Sequence, residues 1–340
     1  MIIRTFSNFA FLVTALCLVN SGKAVLAADI DAHTISQLWV ERGDIRSLDL
    51  YYGYGAKERE PRGPYTFEKE DMDGTNPKFV VRDARGVKWK VKLGSEVQAE
   101  TVATRLMWAA GYHVTEDYYL PQIQVQDLPK LNRGQSQVQT GGVIEKVRLK
   151  RESKESKKVG EWEWRTNPFT GTPQFDGLRV MMAFINNWDL KDINNAVFDR
   201  TQSTPDGGTH TERVYLVSDL GASFGTNNMH KSHEVSKGNV KSFEQSHFLL
   251  KSDPTTASFE TPASPQFIIA FNPKEYSMRA GMKWIGRDIP LDHVRWLSKI
   301  LNQLSPQQLR EAFRAGGFPP AEMDGFSNIL QKRLAQLDQL

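Results

Sequence analysis

The sequence predicts an α+β fold in two lobes: a small antiparallel sheet carrying one helix, then a mainly helical lobe. Three observations lead there. Alternating apolar and polar residues, the mark of half-buried strands, cluster between residues 66 and 150. Helical spacing governs much of the chain from 174 to the end. Between them, residues 151–173 are charged and turn-rich, as a connection between lobes is.

Residues 1–27 read as an export signal. Arg4 gives the positive start, "FAFLVTALCLV" an apolar stretch too short to span a bilayer, and Val25 and Ala27 the small residues of a cleavage site after Ala27. The expectation is a periplasmic or extracellular protein with no transmembrane segment after cleavage. Cys17 follows Leu16, where lipid attachment needs a small residue, so lipidation is the weaker reading. From residue 28 onward there is no cysteine, and the core alone must stabilise the chain. The whole sequence has 43 basic and 40 acidic side chains; losing Arg4 and Lys23 brings it near neutrality, which gives no general case for nucleic acid.

Residues 28–65 form an N-terminal extension. Its "YYGYG" (51–55) has the look of a phosphate loop, but no strand follows, and a Tyr-rich turn packed on the sheet is the better reading. "KFVVRD" and "VKWKVKLG" predict a hairpin with Val87, Trp89, Val91 and Leu93 on one face and Lys88, Lys90 and Lys92 on the other. "SEVQAETVATRLMWAAGY" predicts a helix opened by a Ser95–Gln98 capping box and ended at Gly111. "YYLPQIQVQ" and "GGVIEKVRL" predict two more strands, completing a lobe over 66–150. The second lobe spans 174–340. It opens with a helix, "FDGLRVMMAFINNWDL", placing Leu178, Met181, Met182, Ile185 and Trp188 on one side. "NNAVF" and "RVYLVSDLG" form a hairpin, 225–287 is irregular, and three helices close the chain. Ser305 and Gln308 box the second of these, with Pro306 in its first turn.

Phosphoryl transfer asks for positioning and charge neutralisation. A strand lysine reaches the nucleotide phosphates, a helix Glu holds that lysine, an Asp orients the attacking hydroxyl, and an Asn and a second Asp hold divalent metal. Lys92, Glu100, Asp189, Asn194 and Asp219 supply these in chain order. "DLKDIN" has the Asp-x-x-x-x-Asn spacing, with Lys191 where such loops commonly carry a lysine; "SDLG" matches Asp-Phe-Gly with Leu for Phe. Asp219 follows the apolar "VYLV", so its carboxylate is expected to be buried and to need a cation. Plainer readings stand beside these. Lys92, or Lys90 in its place, is a strand lysine; Glu100 is a first-turn acid; Asp189 and Asn194 are turn and cap residues; Asp219 ends a strand. "HKSH" (230–233) could hold a metal but has no third ligand in sight, and Ser223 in "GASFG" has the wrong spacing for a nucleophile elbow.

On these motifs the chain resembles the protein-kinase-like superfamily, and among its branches the HipA-type and phosphatidylinositol 3-/4-kinase-like members. "GTNPK" before a hairpin is similar to the Gly-x-x-Pro-Lys segment of HipA-type kinases, and "AETVATRLMWAAGYHV" resembles their helix ending in Ala-Gly. The resemblance implies a two-lobed kinase-like fold using ATP and Mg²⁺ or Mn²⁺. It implies that Gly74, Thr75, Asn76 and Lys78 cover the phosphates, that Lys92 pairs with Glu100, that Asp189 is the catalytic Asp, and that Asn194 and Asp219 bind metal. It covers roughly 74–225. Asn187 and Trp188 stand where protein kinases usually have His and Arg, there is no Gly-x-Gly-x-x-Gly, and no Ala-Pro-Glu follows, which speaks against a eukaryotic-type protein kinase. The expected function is an exported phosphotransferase whose acceptor is a protein, lipid or small-molecule hydroxyl, with residues 226–260 as one place to bind it. The alternatives are an inactive nucleotide-binding or interaction module, and transfer of AMP by the same metal site.

Overall fold

The computed structural model describes residues 30–204, 206–226, 236–261 and 273–340. The expected export signal and the "HKSH" histidines lie outside the described residues.

The first lobe is built on β1 (Tyr65–Asp71), β2 (Lys78–Arg82), β3 (Lys88–Lys92), β4 (Asp117–Gln126), the short β5 (Val138–Gln139) and β6 (Val143–Glu152). The β2–β3 hairpin turns on Asp83, whose Oδ1 accepts the amides of Arg85 and Val87, both at 2.9 Å, while Oδ2 accepts the Trp89 indole N–H at 3.0 Å. Trp89, Val91 and Leu93 point inward with Phe79, Val81, Ile144, Val147 and Leu149, and the lysines point outward, as the alternation requires. The expected antiparallel sheet is in fact closed. β3 pairs with both β2 and β6, β6 with β4, and β4 with β1 in parallel over Tyr65↔Val125 and Thr66↔Gln126. The seam was hidden because β1, "YTFEKED", is polar and has a single buried residue, Tyr65. Closure leaves no free edge around the ring β1-β2-β3-β6-β4.

Helix α1 (Ala32–Ser36) lies in the extension, and α2 (Val97–Ala109) lies across the outer face of the barrel. The expected Ser95–Gln98 box does not form. The helix starts at Val97, with Glu96 at its N-cap and no side-chain cap; the Gln98 side chain instead donates to the Gly317 carbonyl at 3.0 Å, and the Glu96 carboxylate is engaged by lysines. The helix ends where expected. Gly111 has φ +100, and a Cβ there would lie 2.1 Å from the Trp39 indole nitrogen. Arg42 then caps the C-terminus, donating to the carbonyls of Trp108, Gly111 and Tyr112 at 2.9–3.3 Å. The extension is thus a strap: Leu38, Ile45 and Leu50 are buried in the second lobe's core, and Gly53 and Gly55 of the Tyr-rich turn sit close against Arg105 and Tyr118. That turn is the packing element expected of it.

Residues 151–173 do more than connect. They carry β7 (Ser156–Gly160), which pairs with the hairpin β8 (Asn195–Ser203) and β9 (Thr209–Val217), and they bury Trp162 and Trp164. Helix α3 (Pro173–Phe184) starts at Thr172, whose hydroxyl accepts the Phe175 amide at 3.2 Å. It stops short of Trp188 because Asn186 adopts φ +52, left-handed backbone that ends a helix. The buried Arg333 guanidinium donates to the buried carbonyls of Ala183 and Phe184 at 2.8 and 2.9 Å, satisfying that helix end.

The expected irregular region contains α4 (Val240–Glu244), β10 (Leu249–Ser252), β11 (Thr256–Phe259) and α5 (Pro273–Gly281), and the short β12 (Ile289–Pro290) follows it. Helices α6 (Leu291–Leu301), α7 (Pro306–Ala315) and α8 (Pro320–Asp338) close the fold, and the Ser305–Gln308 box forms as expected. Phe313 and Phe326 stack at 4.6 Å between centroids, among Phe224, Phe243 and Phe318.

One ion pair makes the second lobe pH-sensitive. The Asp176 carboxylate on α3 takes Arg179 at 2.5 Å and His293 Nδ1 on α6 at 2.7 Å. The hydrogen bond to Asp176 raises the His293 pKa above its ordinary value. This contribution is fully present below the unfolded pKa of about 6.5 and is lost as pH rises through the folded value. His113 works oppositely. Burial lowers its pKa to about 4, so it is already neutral above pH 6.5. The melting temperature lost in His293→Gln is therefore expected to be larger at pH 6 than at pH 8; an equal loss would mean the pair is not charged.

Candidate functional site

The outer face of the barrel carries alternating charges. Arg105 on α2 meets Asp117 on β4 at 3.0 Å, Asp117 meets Arg148 on β6 at 2.9 Å, Arg148 meets Glu100 on α2 at 2.7 Å, and Glu100 meets Lys92 on β3 at 2.8 Å. Lys92 also reaches Glu96 at 2.5 Å and Asp219 at 3.7 Å, and Lys237 closes on Glu96 from the other side. The expected Lys92–Glu100 contact is formed. Lys90 lies elsewhere, between Asp71 at 2.7 Å and Glu152 at 3.2 Å, which resolves the choice of which strand lysine meets Glu100.

Electrostatics follow from burial and pairing. Burial opposes the Lys92 ammonium, which is 9 % exposed, yet Glu100, Asp219 and Glu96 hold its pKa above the lysine norm. Burial pushes the Glu100 carboxyl up despite Arg148 and Lys92. For Glu96 the same burial is outweighed by Lys92 and Lys237, and its pKa falls. Asp219 departs from expectation. Its side chain is 43 % exposed, not buried, and opens toward solvent. Burial of its neighbourhood would raise its pKa, but Lys92, the Gly221 amide, Arg148 and Lys237 hold it below the ordinary value. Asp219 lies two residues past the end of β9, where the chain has left the apolar run, so the run does not force a cation on it.

The loop after α3 meets this cluster through backbone. The Asn194 carbonyl accepts the amides of Ser218 at 2.7 Å and Asp219 at 3.3 Å, and its Nδ2 donates to the Asp189 carbonyl at 2.7 Å. Lys92, Glu100, Asp219, Asn194 and Asp189 are thereby linked by direct contacts from four separate elements. The Asp189 carboxylate is paired with Lys191 at 3.2 Å and with Arg279 of α5 at 3.0 Å. The Gly74–Lys78 segment is tied to the same cluster. Asn76 Nδ2 donates to Glu96 at 2.6 Å, Arg133 holds the carbonyls of Met72 and Thr75, and the Lys78 amine lies over Gly74, whose φ is +63.

Sequence reasoning missed Glu96, Arg148, Asp117, Lys237 and Arg279. Glu96 carried a signal, lying four residues after Lys92; the others come together only through strand register and tertiary packing. Glu96, Glu100 and Asp219 each present an oxygen within 4.8 Å of the others, and the Lys92 ammonium pairs with all three. Trp188 was also passed over. Its ring lies under Lys237 at 5.4 Å and Arg279 at 5.2 Å, its indole N–H donates to the Ser236 carbonyl, and its amide to that of Ala222.

Arg148 joins two buried carboxylates. Arg148→Met is expected to leave Glu100 and Asp117 short of a partner and to cost about 3–5 kcal/mol in urea unfolding, the range for breaking a buried ion pair. A loss under 1 kcal/mol would show that the carboxylates are hydrated or protonated instead.

No family model and no curated protein sequence matches this chain. Among solved structures it is similar to the Helicobacter pylori proinflammatory kinase CtkA, with a TM-score of 0.44 and 10 % identity over 82 % of this chain and 96 % of that one. A likeness that loose leaves the chemistry of the site to its own side-chain geometry.

Proposed function

We propose that the chain is a kinase-like phosphotransferase that binds ATP with Mg²⁺ or Mn²⁺ at the Lys92–Asp219 cluster. One observation carries this: five residues from four separate elements, each of a type phosphoryl transfer needs, lie in one unbroken series of contacts. Lys92 has the place and charge to hold phosphate oxygens, with Glu100 and Glu96 fixing its ammonium. The donor set fits a hard divalent cation, which favours oxygen ligands. Asp219 presents a half-exposed carboxylate, and Asn194, its amide nitrogen committed to Asp189, leaves its side-chain oxygen as the available donor. Such an ion would neutralise phosphate charge. Asp189 would accept a hydrogen bond from the acceptor hydroxyl and orient it. With Lys191 and Arg279 beside it, its role is to position more than to abstract a proton.

The acceptor has room next to this loop. A groove of about 590 Å³ is lined by Trp164, Arg165, Asp192, Lys274, Met278 and Met282. This location differs from 226–260 as the acceptor region. A non-transferring nucleotide-binding module is the second reading, favoured by the double cationic pairing of Asp189. Transfer of AMP uses the same residues; labelling ATP at the α or the γ phosphate separates the two transfers. Export to the periplasm or beyond remains part of the proposal, resting on residues 1–27 alone.

The first test is thermal unfolding of residues 28–340 with Mg²⁺ or Mn²⁺, with and without ATP. ATP at about 100 times Kd adds roughly 2.7 kcal/mol to a protein that binds it only when folded. A metal-dependent rise in melting temperature is expected, lost in Asp219→Ala while that variant keeps its far-ultraviolet dichroism. No rise with any nucleotide would overturn the assignment. Because Lys90 is held by Asp71 and Glu152 and not by Glu100, Lys92→Ala is expected to weaken ATP binding at least tenfold more than Lys90→Ala in a binding titration. Equal losses would mean the wrong lysine.

A further inference from the structure

The outward face of β2, β3 and β6 presents Lys78, Lys90, Lys92, Arg148 and Lys150. Register fixes their layout: Lys78 stands opposite Lys92, Lys92 opposite Arg148, and Lys90 opposite Lys150. Three of these cations are neutralised, Lys90 by Asp71 and Glu152, Lys92 by Glu96 and Glu100, Arg148 by Glu100 and Asp117. Lys78 and Lys150 are not. Among the described residues neither amine has an ion-pair or hydrogen-bond partner, although both are half-buried.

A half-buried ammonium among other cations, with no carboxylate of its own, is costly. Around Lys150 stand Lys90 from β3, Asp117 from β4, Arg148 and Glu152 from its own strand and Glu100 from α2. Each of the carboxylates is already taken by another cation. Burial lowers the Lys150 pKa to about 8, and Arg148 and Lys90 add to the effect; burial also lowers that of Lys78. Both amines are short of negative charge that the protein does not supply.

Their spacing limits what could supply it. Lys78 and Lys150 flank β3 on opposite sides and are offset by two residues. With strands about 4.8 Å apart and about 3.4 Å per residue, their Cα atoms lie about 12 Å apart. Lysine side chains reach about half that distance, so the amines can converge on one phosphate or spread to the two ends of a short chain of them. The line between them crosses β3 between Lys92, opposite Lys78, and Lys90, opposite Lys150.

We propose that Lys150 and Lys78 form a two-point subsite for a linear oligophosphate laid across β3. Resting on the nucleotide-binding function above, the bound group is the phosphate chain of a nucleoside triphosphate, and Lys150 is its second lysine contact from the sheet. Lys78 occupies the strand start and Lys150 the far strand, so the chain would cross β3 diagonally, held at one side beside Lys92 and at the other beside Lys90.

The test is calorimetric titration of the protein with inorganic tripolyphosphate and, separately, with ATP and Mg²⁺, for wild type, Lys150→Met and Lys150→Arg. Loss of one charge-assisted contact lowers affinity about tenfold or more. Lys150→Met is expected to lose that much for both ligands, while its ligand-free melting temperature stays equal or rises, because an uncompensated charge has been removed. A merely structural lysine would lower it. Wild-type affinity is expected to fall between pH 7 and 9, and Lys150→Arg, which stays charged, to retain its affinity at pH 9. Unchanged affinity in Lys150→Met for both ligands overturns the subsite, even where wild type binds ATP and the assignment of function stands. Tripolyphosphate binding that depends on Lys150, without any binding of ATP, supports the subsite and overturns the nucleotide function.

Discussion

A series of alternating charges, buried between the barrel and α2, is the constraint on which the site depends. Arg105, Asp117, Arg148, Glu100 and Lys92 come from α2, β4, β6 and β3, and each except the terminal Arg105 contacts at least two opposite charges. Taking such groups out of water is expensive, and attraction repays the cost only when the geometry is good on every side. The series therefore ties the register of three strands to the rotation of one helix. It ends at Asp219, the half-exposed carboxylate, so the order imposed inside is delivered to the cleft.

Helix α2 has a second allegiance. Its other face, with Ala99, Val102, Ala103 and Leu106, belongs to the core of the helical lobe, and Gly316 beyond α7 approaches the Gln98 carbonyl and Val102 so closely that a Cβ would collide. Arg42 and Trp39 of the extension hold its C-terminus. A helix held from three directions keeps Glu100 against Lys92 without help from a ligand. Trp188 serves the two halves of the cleft similarly. The cations on its ring pair with Glu96 on one side and with Asp189 on the other. This places an indole in the role of a spacer between two carboxylates that nearby lysine and arginine must not be allowed to exchange.

Local features of the fold were legible in the sequence. The hairpin, the helices and the Ser305–Gln308 cap follow from periodicity and turn chemistry, and Lys92, Glu100 and the Asp189–Asn194 spacing could be read as one set. What was not legible depends on register. The parallel seam of the barrel requires polar β1 to find β4, which no pattern in "YTFEKED" announces. Arg148 meets Glu100 only because β6 pairs with β3 at that offset. The capping box at Ser95 failed for a different reason: Gln98, its second member, donates to the Gly317 carbonyl, and the tertiary interaction took the place of the local one. The burial expected of Asp219 fails because the apolar run ends with β9 at Val217, and two residues on the chain has left the core.

The strap has a temporal consequence. Gln308, near the end of the chain, donates through Nε2 to the carbonyls of Ile45 and Leu48, and Tyr215 donates its amide to the Gln37 carbonyl. Contacts of such sequence separation form late, because long loops must close first. During synthesis the strap can meet α2 early, through Trp39, Arg42 and Tyr51, but its contacts with Gln308 must wait for the closing helices. The strap is thus fastened in two stages of very different loop length, first to α2 and last to the helix that carries Gln308.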